Sequence, residues 1–104
     1  MSAQREILPP RRFHGSFRFE IERIVYAAGV GRMPDGRAAE IWLDAGKVGT
    51  SLAALANDAA IMASLLLQYG CPLETIRRAL TRNPDGVAAG PVGRVLDEIA
   101  EGRI

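Results

Sequence analysis

Gly46-Lys47-Val48-Gly49-Thr50-Ser51 is the stretch of this sequence best suited to hold a charged ligand. It sets a lysine and two hydroxyls between glycines, just ahead of an apolar run with helical spacing. Free backbone N–H groups at a helix start, beside a cation, suit a phosphate or carboxylate. Lys47, Gly49, Thr50 and Ser51 are therefore the expected anion-binding residues. The spacing is not that of a phosphate-binding P-loop, because the lysine precedes the second glycine instead of following it. A glycine turn leading into a capped helix accounts for the same residues equally well.

The remaining candidates are solitary. His14 is the one histidine and Cys71 the one cysteine. A single imidazole without a second ligand or a triad partner gives no general-base machinery. Cys71 falls where a helix N-cap is expected, a position that can lower a thiol pKa, although a small packing residue explains it too. One cysteine forms no disulfide within the chain and builds no zinc site. No metal site, no cofactor and no catalytic residue is expected. Asp58 falls within an apolar helical stretch. A carboxylate buried there would need a partner, and Arg37, Arg77 or Arg94 could supply it as a structural ion pair or a partner contact.

These residues must be placed by a small α+β body. Residues 1–15, with Arg5, Arg11 and Arg12 around Leu8-Pro9-Pro10, read as an N-terminal arm, since proline removes donors and stiffens the chain. Residues 16–104 read as one domain, a size that can bury a core without staples. Phe17-Arg18-Phe19-Glu20-Ile21-Glu22 alternates apolar and polar, which predicts a half-buried strand. A reversal at Arg23 leads to a second strand over 24–33, weakened by Gly29 and Gly31. Pro34-Asp35-Gly36 is a turn, and 38–44 forms a third strand. The expected fold is thus a three-stranded antiparallel meander followed by two to three packed helices.

The first helix spans about 52–69. Leu52, Leu55, Ala59, Met62, Leu66 and Tyr69 share one stripe, and Ile61, Leu65 and Leu67 widen it beyond one face. Such a helix should be central, and its alanines allow close approach of a second copy, so a homodimer through this helix is expected. Gly70 ends it as a C-cap. Pro72 opens a second helix, with Leu73, Ile76 and Leu80 inward and Arg77, Arg78 and Arg82 toward water. Pro91 starts a third, with Val92, Val95, Leu96 and Ile99 on its apolar side.

Thirteen basic and twelve acidic side chains leave a net charge of +1. That balance argues against a nucleic-acid-binding module, which would want a basic stripe interleaved with aromatics. The N-terminus has no apolar h-region, and the apolar stretch 59–67, broken by Ser64, is too short to span a bilayer. A cytoplasmic location and no membrane contact are the corresponding expectations.

The order of pieces carries a resemblance. Leu8-Pro9-Pro10-Arg11-Arg12 is followed by Pro34-Asp35-Gly36-Arg37, Ala39-Glu40-Ile41-Trp42-Leu43 and Lys47-Val48-Gly49-Thr50. Then come Asp58-Ala59-Ala60, Ser64-Leu65-Leu66-Leu67-Gln68-Tyr69-Gly70, Pro72-Leu73-Glu74-Thr75-Ile76 and Gly90-Pro91-Val92-Gly93. Over about residues 8–100 this resembles the TSCPD-type domain, a C-terminal appendage of adenosylcobalamin-dependent ribonucleotide reductases that also occurs as small stand-alone proteins. The motif that names the family would fall near Gly90-Pro91-Val92-Gly93, where this chain has no cysteine. The resemblance implies a non-catalytic accessory or regulatory domain that binds a nucleotide-like anion or a protein partner such as a ribonucleotide reductase. The alternative it implies is a ribonucleoside-diphosphate reductase component acting in trans in deoxyribonucleotide synthesis. One cysteine cannot provide both a thiyl radical and the two thiols that reduce the substrate, so the chain alone is not expected to catalyse that reaction.

Overall fold

The computed structural model of the chain describes residues 4–10, 14–46 and 49–104. Six elements follow in order: β1 (His14–Ile21), β2 (Ile24–Arg32), β3 (Ala38–Asp44), α1 (Ser51–Gln68), α2 (Leu73–Ala79) and α3 (Pro91–Ala100). The strands form one antiparallel sheet in the order β1-β2-β3. The α+β meander-then-helices architecture is the one the periodicities imply.

The register fixes which side chains meet. Phe17 lies opposite Ala28, Phe19 opposite Tyr26 and Ile21 opposite Ile24. These share a face with Val30, Ile41 and Leu43, and that face is the core side of the sheet. The rings of Phe17, Phe19 and Tyr26 stack along it at centroid distances of 5.2 and 5.4 Å. The turn between β1 and β2 takes two residues, Glu22 and Arg23, both at positive φ (50° and 68°). A type I′ turn needs that conformation, and its usual residues are asparagine and glycine. Here the alternation of β1 overrides poor turn chemistry. β1 also starts earlier than the sequence suggests, so His14 and Gly15, assigned to the arm, belong to the sheet.

Gly29 of β2 sits beneath Trp42 of β3; a Cβ built on it would lie 2.8 Å from the ring. This close approach is why a glycine stands mid-strand. The weakening expected at Gly31 takes the form of a register shift between Gly31 and Arg32.

α1 packs along β3, the edge of the sheet, and covers it chemically as well as sterically. Ser64 Oγ accepts from the Ile41 N–H (2.8 Å) and lies 3.2 Å from the Ile41 carbonyl. Gln68 Nε2 donates to the Ala39 carbonyl (2.9 Å). Two side chains thus satisfy backbone groups that an open edge would offer to another chain. α1 has 18 residues and a mean hydropathy of 1.3, long and apolar enough by those measures to cross a membrane. That corrects the expectation from residues 59–67 alone. Ser64 and Gln68, both buried, are spent on the sheet edge.

Gly70 terminates α1 at φ +93°, with Cys71 N–H bonded to the Leu66 carbonyl (2.9 Å) and Gly70 N–H to that of Leu67 (3.1 Å). This pair of bonds is the Schellman motif. α3 closes the core with Val92, Val95 and Leu96, and Leu96 and Val95 are fully buried.

Candidate functional site

The start of α1 is built as expected in its described part. Gly49 is left-handed at φ +86°, and Thr50 is the N-cap, its hydroxyl accepting from Ala53 N–H (3.1 Å). Gly49, Thr50 and Ser51 line a shallow cavity with Asn57, Leu43 and Asp44. Lys47, the fourth member of the expected anion set, lies outside the described residues. Asp44, whose Oδ1 accepts from Gly46 N–H (3.1 Å), brings negative charge to the same cavity. The Thr50 cap already occupies one of the N–H groups an anion would use.

Asp58 is not a buried carboxylate. It is exposed on α1, and Arg37, Arg77 and Arg94 all turn to other groups. Helical spacing sets Asp58 away from the alanines that face the sheet, so water solvates it and no buried partner is needed. Arg37 spans Asp35 (2.7 Å) and Glu6 (2.8 Å). Hydrogen bonds from Arg37 lower the pKa of Asp35, and Glu6 and Asp35 together raise that of Arg37. Arg94 Nε donates to the Ala88 carbonyl (3.3 Å).

Arg77 and Arg82 do not face water as their helical positions suggest. Both close on Asp97 of α3. Arg82 grips it with two nitrogens at 2.8 and 2.9 Å, and Arg77 Nε reaches it at 2.7 Å. Asp97 is only 14% exposed, and the hydrogen bonds from Arg82 and then Arg77 hold its pKa down at about 2. Arg82 also donates to the Gly86 carbonyl (2.9 Å), so one carboxylate ties α2, the 83–87 loop and α3 together. Four guanidiniums, of Arg77, Arg82, Arg94 and Arg103, line the groove here against four carboxylates, of Asp85, Asp97, Glu98 and Glu101. Neutralised in this way, the cluster clamps helices and offers no anion site. The sequence held no local signal for Asp97, because its partners lie 15 and 20 residues away.

Cys71 is half-buried before α2, whose N-cap is Pro72, one residue later than the position expected for the thiol. Its Sγ lies 3.8 Å from the Pro72 carbonyl. It lines an apolar cavity with Leu67, Leu73 and Ile99, rimmed by Arg32 and Arg37. His14 enters β1 opposite Gly31, at the far edge strand of the sheet. Among the described residues no group of three or more histidine, cysteine or acidic side chains could hold a metal ion.

The described part of the arm is anchored to the end of α1. Glu6 N–H donates to the Gln68 carbonyl (2.8 Å), and Arg5 Nε donates to Gln68 Oε1 (2.5 Å). Arg11 and Arg12 lie outside the described residues.

The largest departure from expectation lies on α1. The helix expected to be central is not covered on most sides, and its large apolar stripe is turned outward: Leu55 is 67% exposed, Met62 60%, Tyr69 48%, Leu66 46% and Leu52 37%. The face against the sheet is instead Ala56, Ala60, Ala63, Ser64, Leu67 and Gln68. Small residues win that side because α1 lies close along β3, with no room for a row of leucines.

No protein-family model matches the chain, and no solved structure matches it. Two curated proteins do. The chain is 38% identical over 81 residues to the vitamin B12-dependent ribonucleotide reductase of Agrobacterium fabrum, which covers 78% of this chain and 6% of that protein. It is 36% identical over 78 residues to the enzyme of the same description from Bradyrhizobium diazoefficiens, covering 75% of this chain and 6% of that one. The chain thus spans about 6% of the length of the relatives it matches, and it is related to vitamin B12-dependent ribonucleotide reductase through that one small region.

Proposed function

We propose that this chain is a non-catalytic accessory or regulatory domain of the TSCPD type, acting beside a vitamin B12-dependent ribonucleotide reductase through protein contacts. The observation that carries this reading is the match itself, which takes in most of this chain and a small fraction of each relative. The chemistry of the chain supports it. Cys71 is the one cysteine and His14 the one histidine, so the chain has a single thiol and a single imidazole from which to build a nucleophile–base pair. Contact with a protein partner is favoured over a nucleotide-like anion at the start of α1, because Asp44 brings negative charge to the cavity that Gly49, Thr50 and Ser51 line there.

The test is to add the purified chain to a full-length vitamin B12-dependent reductase and follow both ribonucleotide turnover and co-elution. A change in turnover of twofold or more, with the two proteins eluting together, is expected. Unchanged turnover without co-elution overturns the reading, as does ribonucleotide reduction by the purified chain alone. An anion-binding role would appear instead as a nucleotide-dependent rise in Tm that Lys47→Ala abolishes.

A further inference from the structure

The exposed stripe of α1 is a seam with a defined period. Leu52, Leu55, Met62, Leu66 and Tyr69, all exposed, are completed by the half-buried Ala59, which also touches the core, and the six follow in sequence at intervals of 3, 4, 3, 4 and 3 residues. That is the a/d spacing of a coiled coil, the pattern by which one helix seats knobs into holes of another. The inner face repeats the same spacing at Ala53, Ala56, Ala60, Ala63 and Leu67, and there the sheet fills it. The outer seam therefore has the form of a helix-binding surface.

We propose that its occupant is the α1 helix of a second copy of this chain, packed antiparallel about a two-fold axis. The seam is palindromic: 3-4-3-4-3 reads the same in both directions. Its midpoint falls between Ala60 and Ile61. Antiparallel pairing about that point sets Leu52 against Tyr69 of the other copy, Leu55 against Leu66, and Ala59 against Met62. The smallest residue of the seam thus meets the long, adaptable methionine, and the two copies fill each other's gaps. A two-fold interface requires such self-complementarity, because the same patch serves both sides.

Charge fits the same arrangement. Ser51–Gln68 contains one ionisable group, Asp58, and no basic residue. An acidic or basic partner helix would find nothing on the seam to select it. In the two-fold pair the Asp58 positions are staggered by five residues along the helix, about 7.5 Å of rise. Asp58 lies beside the seam and not on it, so both carboxylates stay at the wet rim. The contact runs about 27 Å, the length of 18 helical residues. One helix face per copy puts it at the small end of specific interfaces, roughly 1,000 Å² in total. Assembly in the micromolar range is therefore expected.

Sedimentation velocity from 5 to 500 µM on the full chain tests this directly. The expected result is a mass that rises with concentration from 11.2 kDa to twice that value. A monomer throughout overturns the proposal. The register is tested with Leu55→Glu and Leu66→Lys, which face each other only in the antiparallel pair. Each variant alone is expected to weaken dimerisation at least tenfold. An equimolar mixture is expected to recover a heterodimer, whereas Leu55→Glu mixed with Leu52→Lys is not. Equal dimerisation of every variant, or no recovery in the first mixture, overturns the antiparallel seam. Far-ultraviolet circular dichroism verifies that the variants fold, and the wild-type mass stands as a test whether they do or not. Flotation of the wild-type chain with phosphatidylcholine and phosphatidylglycerol vesicles, together with a monomer mass in solution, would assign the seam to a membrane surface and overturn the dimer.

Discussion

The two faces of α1 have the same heptad spacing and opposite chemistry. The inner row, Ala56, Ala60, Ala63 and Leu67 with Ser64 and Gln68, is made of alanines and two polar side chains apart from Leu67, yet it is buried. The outer row, Leu52, Leu55, Met62, Leu66 and Tyr69, is large and apolar, yet it is exposed. Hydrophobicity alone would place them the other way round. Distance and hydrogen bonding decide the outcome. A helix lying along a strand edge has space for alanines, and it must satisfy the backbone groups of Ile41 and Ala39, which serine and glutamine do.

This contrast can be broken most severely from the inside. Ala60 is 1% exposed, and its carbonyl lies 2.8 Å from Ser64 Oγ. Ala60→Leu should drive α1 off β3 and cost about 3 kcal/mol, the upper end for overpacking. In a domain of this size that lowers Tm by more than about 10 °C. A thermal melt that moves by less than about 3 °C would mean that α1 does not pack as closely as the geometry implies. Ser64→Ala is the next largest change. It removes only the hydroxyl and strips Ile41 N–H of its acceptor inside the fold, which costs about 2 kcal/mol. Hydrogen exchange should show the Ile41 amide losing protection before its neighbours do. Equal protection in variant and wild type would show that Ser64 is not what covers the edge.

The same contrast explains what could be read without coordinates. The alternation of Phe17, Phe19 and Ile21, the Gly70 cap and the apolar side of α3 at Val92, Val95, Leu96 and Ile99 each depend on local spacing, and each is found. What was misread depends on partners distant in sequence. The orientation of α1 is set by β3, 23 to 29 residues earlier, through Ser64 and Gln68. Nothing in the helix says which of two heptad rows will meet that edge. Asp97 and Glu6 were missed for the same reason, since their arginines are up to 31 residues away. A serine and a glutamine four residues apart inside an apolar helix were the available clue, because buried polar side chains require partners.

The Asp97 clamp sharpens the contrast, since it places acid sensitivity on α2 and α3 and away from α1. Its pKa of about 2 lies below the ordinary carboxylate value of 3.8. A carboxylate depressed in the folded state contributes stability above its unfolded pKa. It loses that stability as pH falls through the folded value. The contribution should be complete above about pH 5 and fade between pH 4 and 2, by on the order of 1–2 kcal/mol. Asp97→Asn should therefore lower stability at pH 7 and flatten the acid limb of the denaturation profile. The exposed pairs Asp35–Arg37 and Glu98–Arg103 should leave only a small residual slope. An unchanged acid limb would show that the clamp is not the source.

The smallest effect belongs to the outer row. Met62 is 60% exposed and points away from the sheet, so Met62→Gln removes almost no contact within one chain. In dilute solution, below the concentration at which copies associate, the change in stability should stay within about 0.5 kcal/mol, as for an ordinary surface substitution. At higher concentration the outcome should separate. An assembly that binds only the folded chain stabilises it by mass action, so the wild-type Tm should climb with concentration while that of Met62→Gln climbs less. Parallel melts of the two proteins at low and high concentration measure both quantities in one experiment. A gap already present at the lowest concentration would mean that Met62 supports the fold of the single chain, and the division of α1 into an inner packing face and an outer docking face would fail.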